Sequence, residues 1–67
     1  MNCKWNKVVK GEQTTLRSLL KFKNGEIVIG FFKPSANMWF VENLSNKQRT
    51  VSGNEIENPI IEYKRIC

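Results

Sequence analysis

The 67-residue sequence predicts a small all-β domain, and three observations carry that reading. Two β-prone runs flank Asn24-Gly25, a dipeptide that accepts the positive φ angles of a tight hairpin turn. Short runs rich in β-branched and aromatic residues recur along the chain, separated by Gly, Pro, Asn and Ser. The one segment with helical spacing (Leu16, Leu19, Leu20 and Lys23) lacks a capping box, since neither Thr14 nor Thr15 has Glu or Gln three places on. Five or six short strands of this kind suit one domain over residues 1–67, an SH3-like curled antiparallel sheet or barrel. The alternative is an α+β meander with one short helix around residues 13–20.

Lys4 to Val9 reads as a short first strand and residues 12–15 as a loop. The second strand takes residues 16–23 and the third 26–33, joined at Asn24-Gly25. Pro34 to Asn37 is a turn cluster, and Met38 to Glu42 is a strand enriched in aromatics. Asn43 to Asn46 turns the chain into a more polar strand, Lys47 to Ser52, expected near a sheet edge. Gly53-Asn54 turns it again. Pro59, with no N–H to donate, suits the start of a last strand from Ile60 to Ile66.

A two-residue type I′ loop would pair Lys23 with Glu26, Phe22 with Ile27, Lys21 with Val28, Leu20 with Ile29 and Leu19 with Gly30. Side chains alternate along a strand, so this register sorts them onto two faces. Ser18, Leu20, Phe22, Ile27, Ile29 and Phe31 form an apolar face expected to be core. Arg17, Leu19, Lys21, Lys23, Val28 and Phe32 form the other, where cations surround apolar and aromatic side chains. This second group is the candidate binding face, with Trp5, Lys7 and Trp39 as secondary candidates. Trp39 and Phe40 are neighbours, so only one of them can face inward. Gly30 marks a bend or bulge of the kind needed where a small sheet curls.

Eleven Lys and Arg against six Glu give a net charge of +5, and residues 1–23 hold six of the cations against Glu12 alone. Such a field attracts an anionic partner, either an acidic protein surface or nucleic acid. The chain has no His and no Asp, which removes His-based triads, His-containing zinc sites and Asp-based magnesium sites. The four glycines are scattered and form no phosphate loop. Cys3 and Cys67 lack CxxC spacing, so no metal or other cofactor is expected. They lie at opposite ends and would meet only if the terminal segments were neighbouring strands. Glu55 and Glu57, two places apart, would share a strand face, but a solvated pair without partners does no acid–base work. The expectation is a non-enzymatic protein. Met1 to Lys10 has no apolar signal-peptide core, and no apolar run approaches the ~20 residues that span a bilayer. A cytoplasmic location with reduced thiols follows as the expectation.

Trp5, the Leu19 to Lys23 strand, Asn24-Gly25, Gly30-Phe31-Phe32 and Met38-Trp39-Phe40 follow one another in an order that resembles short phage and prophage proteins of unknown function. The resemblance implies a small non-enzymatic protein of phage type. Joined to the basic, aromatic hairpin, it suggests an inhibitor or modulator that occupies an acidic surface of a host protein. That host protein would belong to a defence or nucleic-acid-handling complex, and the host cytoplasm would be the location. Direct nucleic-acid binding by the hairpin face is the alternative. A homodimer would cover leftover apolar surface on so short a chain.

Overall fold

A computed structural model describes residues 4–9 and 15–66. Within it the β-prone runs form six antiparallel strands: β1 (Asn6–Lys7), β2 (Ser18–Phe22), β3 (Ile27–Lys33), β4 (Met38–Glu42), β5 (Gln48–Ser52) and β6 (Ile60–Arg65). They make one open sheet in the order β1-β6-β2-β3-β4-β5, so β1 and β5 are its edges. The fold class is all-β, as the sequence predicts. The only helical piece among the described residues is a 3-10 turn over Pro34–Ala36. The segment weighed as a helix over 13–20 is strand from Ser18 onward. Residues 13 and 14, Lys10, Cys3 and Cys67 lie outside the described residues. Among the described residues no helix is long and apolar enough to cross a membrane.

The β2–β3 hairpin departs from the expected register by one place. The Phe22 N–H donates to the Glu26 carbonyl at 2.9 Å, and the Gly25 N–H donates to the Phe22 carbonyl at 2.9 Å. The loop therefore holds three residues, Lys23, Asn24 and Gly25, and Gly25 takes a φ of 93°. This is a turn closed by one residue of positive φ, the commonest three-residue hairpin. Asn24 Oδ1 accepts the Glu26 N–H at 2.9 Å and braces it. Leu19 then faces Ile29, Leu20 faces Val28 and Lys21 faces Ile27. One extra loop residue turns β3 over relative to β2. Val28 and Phe32, expected on the binding face, are core at 1% and 5% exposure, whereas Ile27 and Phe31 are exposed. The expected Lys23–Glu26 pair does not form, because Lys23 is a loop residue and Glu26 pairs with Arg49.

The β4–β5 hairpin uses the same device. The Asn43 N–H donates to the Lys47 carbonyl, the Asn46 N–H donates to the Asn43 carbonyl, and Asn46 at φ 62° stands where Gly25 stands in the first hairpin. Asn tolerates this region better than most side chains. Asn43 Oδ1 accepts the N–H groups of Ser45 and Lys47.

Leu20, Phe22, Val28, Phe32, Trp39, Val41 and Ile60 bury into one core, with Val8, Val51 and Tyr63 packed against it. Trp39 meets Phe32 edge to face, ring centroids 5.1 Å apart. Trp39, a secondary binding candidate from sequence, is thus a core residue, and Phe40 is the partner that faces out. Gly30 packs tightly against the backbone of β4: a Cβ there would collide with the Phe40 carbonyl oxygen and lie 2.9 Å from Val41 Cα. Ile61 is an extra residue between the pairs Lys21–Glu62 and Phe22–Ile60, a bulge that bends β6. The curl carries β5 across the core. The guanidinium carbon of Arg49 lies 4.9 Å over the Phe22 ring, although β5 and β2 are three places apart in the sheet. On a flat sheet their backbones would stand about 14 Å apart with side chains parallel. Residues 53–59 link β5 to β6 and anchor on the β2–β3 loop. Their Pro59 carbonyl accepts the Lys23 N–H at 2.8 Å, and Asn58 Oδ1 accepts the Asn24 N–H at 3.0 Å.

Candidate binding face

Alternation puts every second side chain on the outer surface of the sheet, and the ladder pairings align them in rows. One row runs Lys7, Glu62, Lys21, Ile27 from β1 to β3. The next runs Lys64, Leu19, Ile29, Glu42, Gln48 from β6 to β5. A third runs Phe31, Phe40, Thr50, and a fourth Lys33, Met38, Ser52. The face is therefore basic over β1, β6 and β2, and apolar over β3 and β4.

Phe31 and Phe40 stack across the β3–β4 ladder, centroids 5.7 Å apart and planes inclined by 24°. Phe31 is 36% exposed and Ile27 41%, high values for large apolar side chains on a sheet. The same two rings wall two hollows. One, of about 380 Å³, is lined also by Arg17, Ile29, Glu42 and Thr50. The other, of about 410 Å³, is lined also by Thr15, Lys33 and Pro34. Lys33 Nζ stands 6.0 Å from the Phe40 ring centre, so a cation borders the pair.

On the basic half, Lys21 Nζ lies 4.2 Å over the Trp5 ring and 3.5 Å from Glu62 Oε1, and Lys64 Nζ lies 5.8 Å from the same ring. Trp5 is consequently occupied by this chain's own lysines on the side they cover. Lys7 is exposed on the edge strand β1.

Four of the six expected face residues differ in fate from the other two. Arg17 is exposed just before β2, Leu19 and Lys21 are on the outer face, and Lys23 is exposed in the hairpin loop. Val28 and Phe32 are in the core. Their places are taken by Ile27, Ile29, Phe31 and Phe40, which sequence reasoning left out. The available signal was Gly25 as third residue of a three-residue loop, which changes the parity of β3. Glu55 and Glu57 share no strand face, because both lie in the loop between β5 and β6. There a Glu55 carboxylate oxygen accepts the Asn58 N–H at 3.2 Å. Among the described residues no three His, Cys, Asp or Glu side chains gather as a metal site would require. No family model matches this sequence, no curated protein matches it, and no solved structure matches its fold.

Proposed function

We propose that this chain is a non-enzymatic binding protein whose outer sheet face receives an acidic protein segment carrying an aromatic or aliphatic anchor. The observation that carries the reading is the stacked Phe31–Phe40 pair, with Phe31 exposed and Phe40 partly buried, bordered by Arg17 and Lys33. An apolar centre with a cationic rim is the anatomy of an interface, with aromatics and Arg as anchors. The +5 charge favours encounter with an acidic partner. The protein reading is preferred to nucleic acid because Phe31 and Phe40 stack on each other and the lysines cover Trp5, which leaves few free ring faces for bases. The SH3-like description belongs to this proposal, supported by the reach of Arg49 over Phe22. So do the phage-type role and action in the cytoplasm as an inhibitor or modulator of a host complex, which rest on the resemblance.

The test is a peptide array in which a Phe or Leu anchor is flanked by Glu and Asp, by Lys and Arg, or by Ser. Binding confined to the acidic set, with NMR shifts centred on Phe31 and Phe40, supports the proposal. Equal binding of the basic set overturns it. So does tight oligonucleotide binding that weakens steeply with salt.

A further inference from the structure

We infer that β5 is a self-association edge, pairing antiparallel with β5 of a second copy of this chain about a two-fold axis at Thr50. This goes beyond the function proposed above and does not depend on it.

The argument begins with the main chain. The Asn43 N–H bonds to the Lys47 carbonyl, and the Gly53 N–H bonds to the Asn37 carbonyl, at the two ends of the β4–β5 ladder. Antiparallel ladders alternate between bonded and non-bonded pairs. Arg49 and Val51 therefore bond inward to β4, and Gln48, Thr50 and Ser52 point their N–H and carbonyl groups away from the sheet. The Ser52 carbonyl also accepts the Glu55 N–H at 3.2 Å. Gln48, Arg49, Thr50 and Ser52 are all exposed.

Edges are normally blunted by shortness, proline, bulges or charge. The other edge, β1, is two residues long. β5 has five residues, no proline and a ladder to β4 without a register shift. Its one internal charge, Arg49, is bound to Glu26 at 2.7 Å.

The strand is also complementary to itself. With Thr50 on the axis, Thr50 faces its own copy and Gln48 faces Ser52, two uncharged pairs that hydrogen-bond well across strands. Lys47 falls opposite Gly53 and Arg49 opposite Val51, so no like charges stand directly opposite, and the two Arg49 side chains, diagonal to each other, are each held by their own Glu26. Leu44 and Ile56, at 91% and 84% the most exposed large apolar side chains among the described residues, lie six places before and six after Thr50. An antiparallel pairing brings the Leu44 end of one copy beside the Ile56 end of the other, at both ends of the interface. An acidic foreign strand would find little here to attract it, since the Arg49 charge is already engaged. Pairing would also join the two Phe31–Phe40–Thr50 rows into one continuous face across both copies.

Sedimentation of the full chain at increasing concentration, with amide hydrogen exchange on the same samples, tests this. The expected result is twice the 7.8 kDa monomer mass at high concentration. With it, the amides of Gln48, Thr50 and Ser52 gain protection while those of Arg49 and Val51 are protected throughout. Thr50→Pro removes both central N–H donors and should raise the dissociation constant about tenfold or more. Thr50→Lys sets like charges on the axis and should do the same while keeping the strand hydrogen bonds. A chain still monomeric at about 1 mM overturns the inference. A dimer whose Thr50 amide stays unprotected, or which survives Thr50→Lys, overturns it equally. If Thr50→Pro unfolds the chain, the wild-type exchange data and Thr50→Lys still decide.

Discussion

Phe31 and Phe40 lie ring against ring on the outer face, 5.7 Å between centroids, one residue along each strand from the buried Phe32–Trp39 pair on the inner face. Two aromatic pairs, the outer one stacked and the inner one edge to face, thus occupy opposite sides of the same two strands. Only the inner pair is needed to exclude water from the core.

Truncating the two pairs should separate stability from binding. Phe32→Ala should cost about 3–5 kcal/mol, the usual loss for a buried ring. Phe31→Ala should cost about 1 kcal/mol, the worth of an exposed aromatic contact. Urea unfolding monitored by Trp fluorescence measures both. A larger cost at Phe31 than at Phe32 would mean that β3 lies the other way over.

Gly30→Ala should destabilise by about 2 kcal/mol or more, because the added methyl meets the backbone of Phe40 and Val41, which cannot rotate aside as a side chain would. A neutral result would contradict the close approach of β3 and β4. Chemical denaturation of the variant suffices to measure it.

The two hairpins should respond unequally to substitution at their positive-φ residues. Gly25→Ala places a Cβ residue at φ 93° and should cost about 1–2 kcal/mol, although nothing lies within 4 Å of the new carbon. Asn46→Gly relieves a mild strain at φ 62° and should change stability by no more than about 0.5 kcal/mol. The paired melting temperatures check this.

Arg49 should matter more than the ion pair it makes. Its side chain and that of Glu26 are 47% and 36% exposed, so Glu26→Gln should cost about 0–1 kcal/mol and less in high salt. Arg49→Ala should cost more, because the stem and guanidinium cover the Phe22 ring. Arg49→Met should recover part of the difference. Stability of the three variants at low and high salt separates charge from cover.

Much of the fold is legible in the residue order. The strands from Met38, near Gln48 and from Ile60 begin where turn residues end, and Pro59 precedes β6 as a residue without an N–H should. The polar run from Lys47 to Ser52 is an edge because it has too few apolar residues to be covered on both sides. The candidate site was only half legible. Arg17, Leu19 and Lys21 lie on the outer surface as expected. The parity of β2 is marked by a charge at Lys21, and that of β4 by Glu42.

The one charge of β3, Lys33, stands at its last residue beside the Pro34 turn, so it marks the parity of the strand only at its end. Ile27, Ile29 and Phe31 on one side and Val28, Gly30 and Phe32 on the other are both apolar enough to be core, so composition leaves its orientation open. The sequence by itself determined the class of fold, the succession of strands and turns, and the excess of cations. The tertiary structure alone decided which side of β3 faces inward. It did so through a three-residue loop that ends in a positive φ at Gly25, and through a strand contact at Gly30 too tight for any side chain. The loop is one of two lengths that Lys23-Asn24-Gly25 allows, and the contact at Gly30 is a packing constraint between segments that no single run of residues contains.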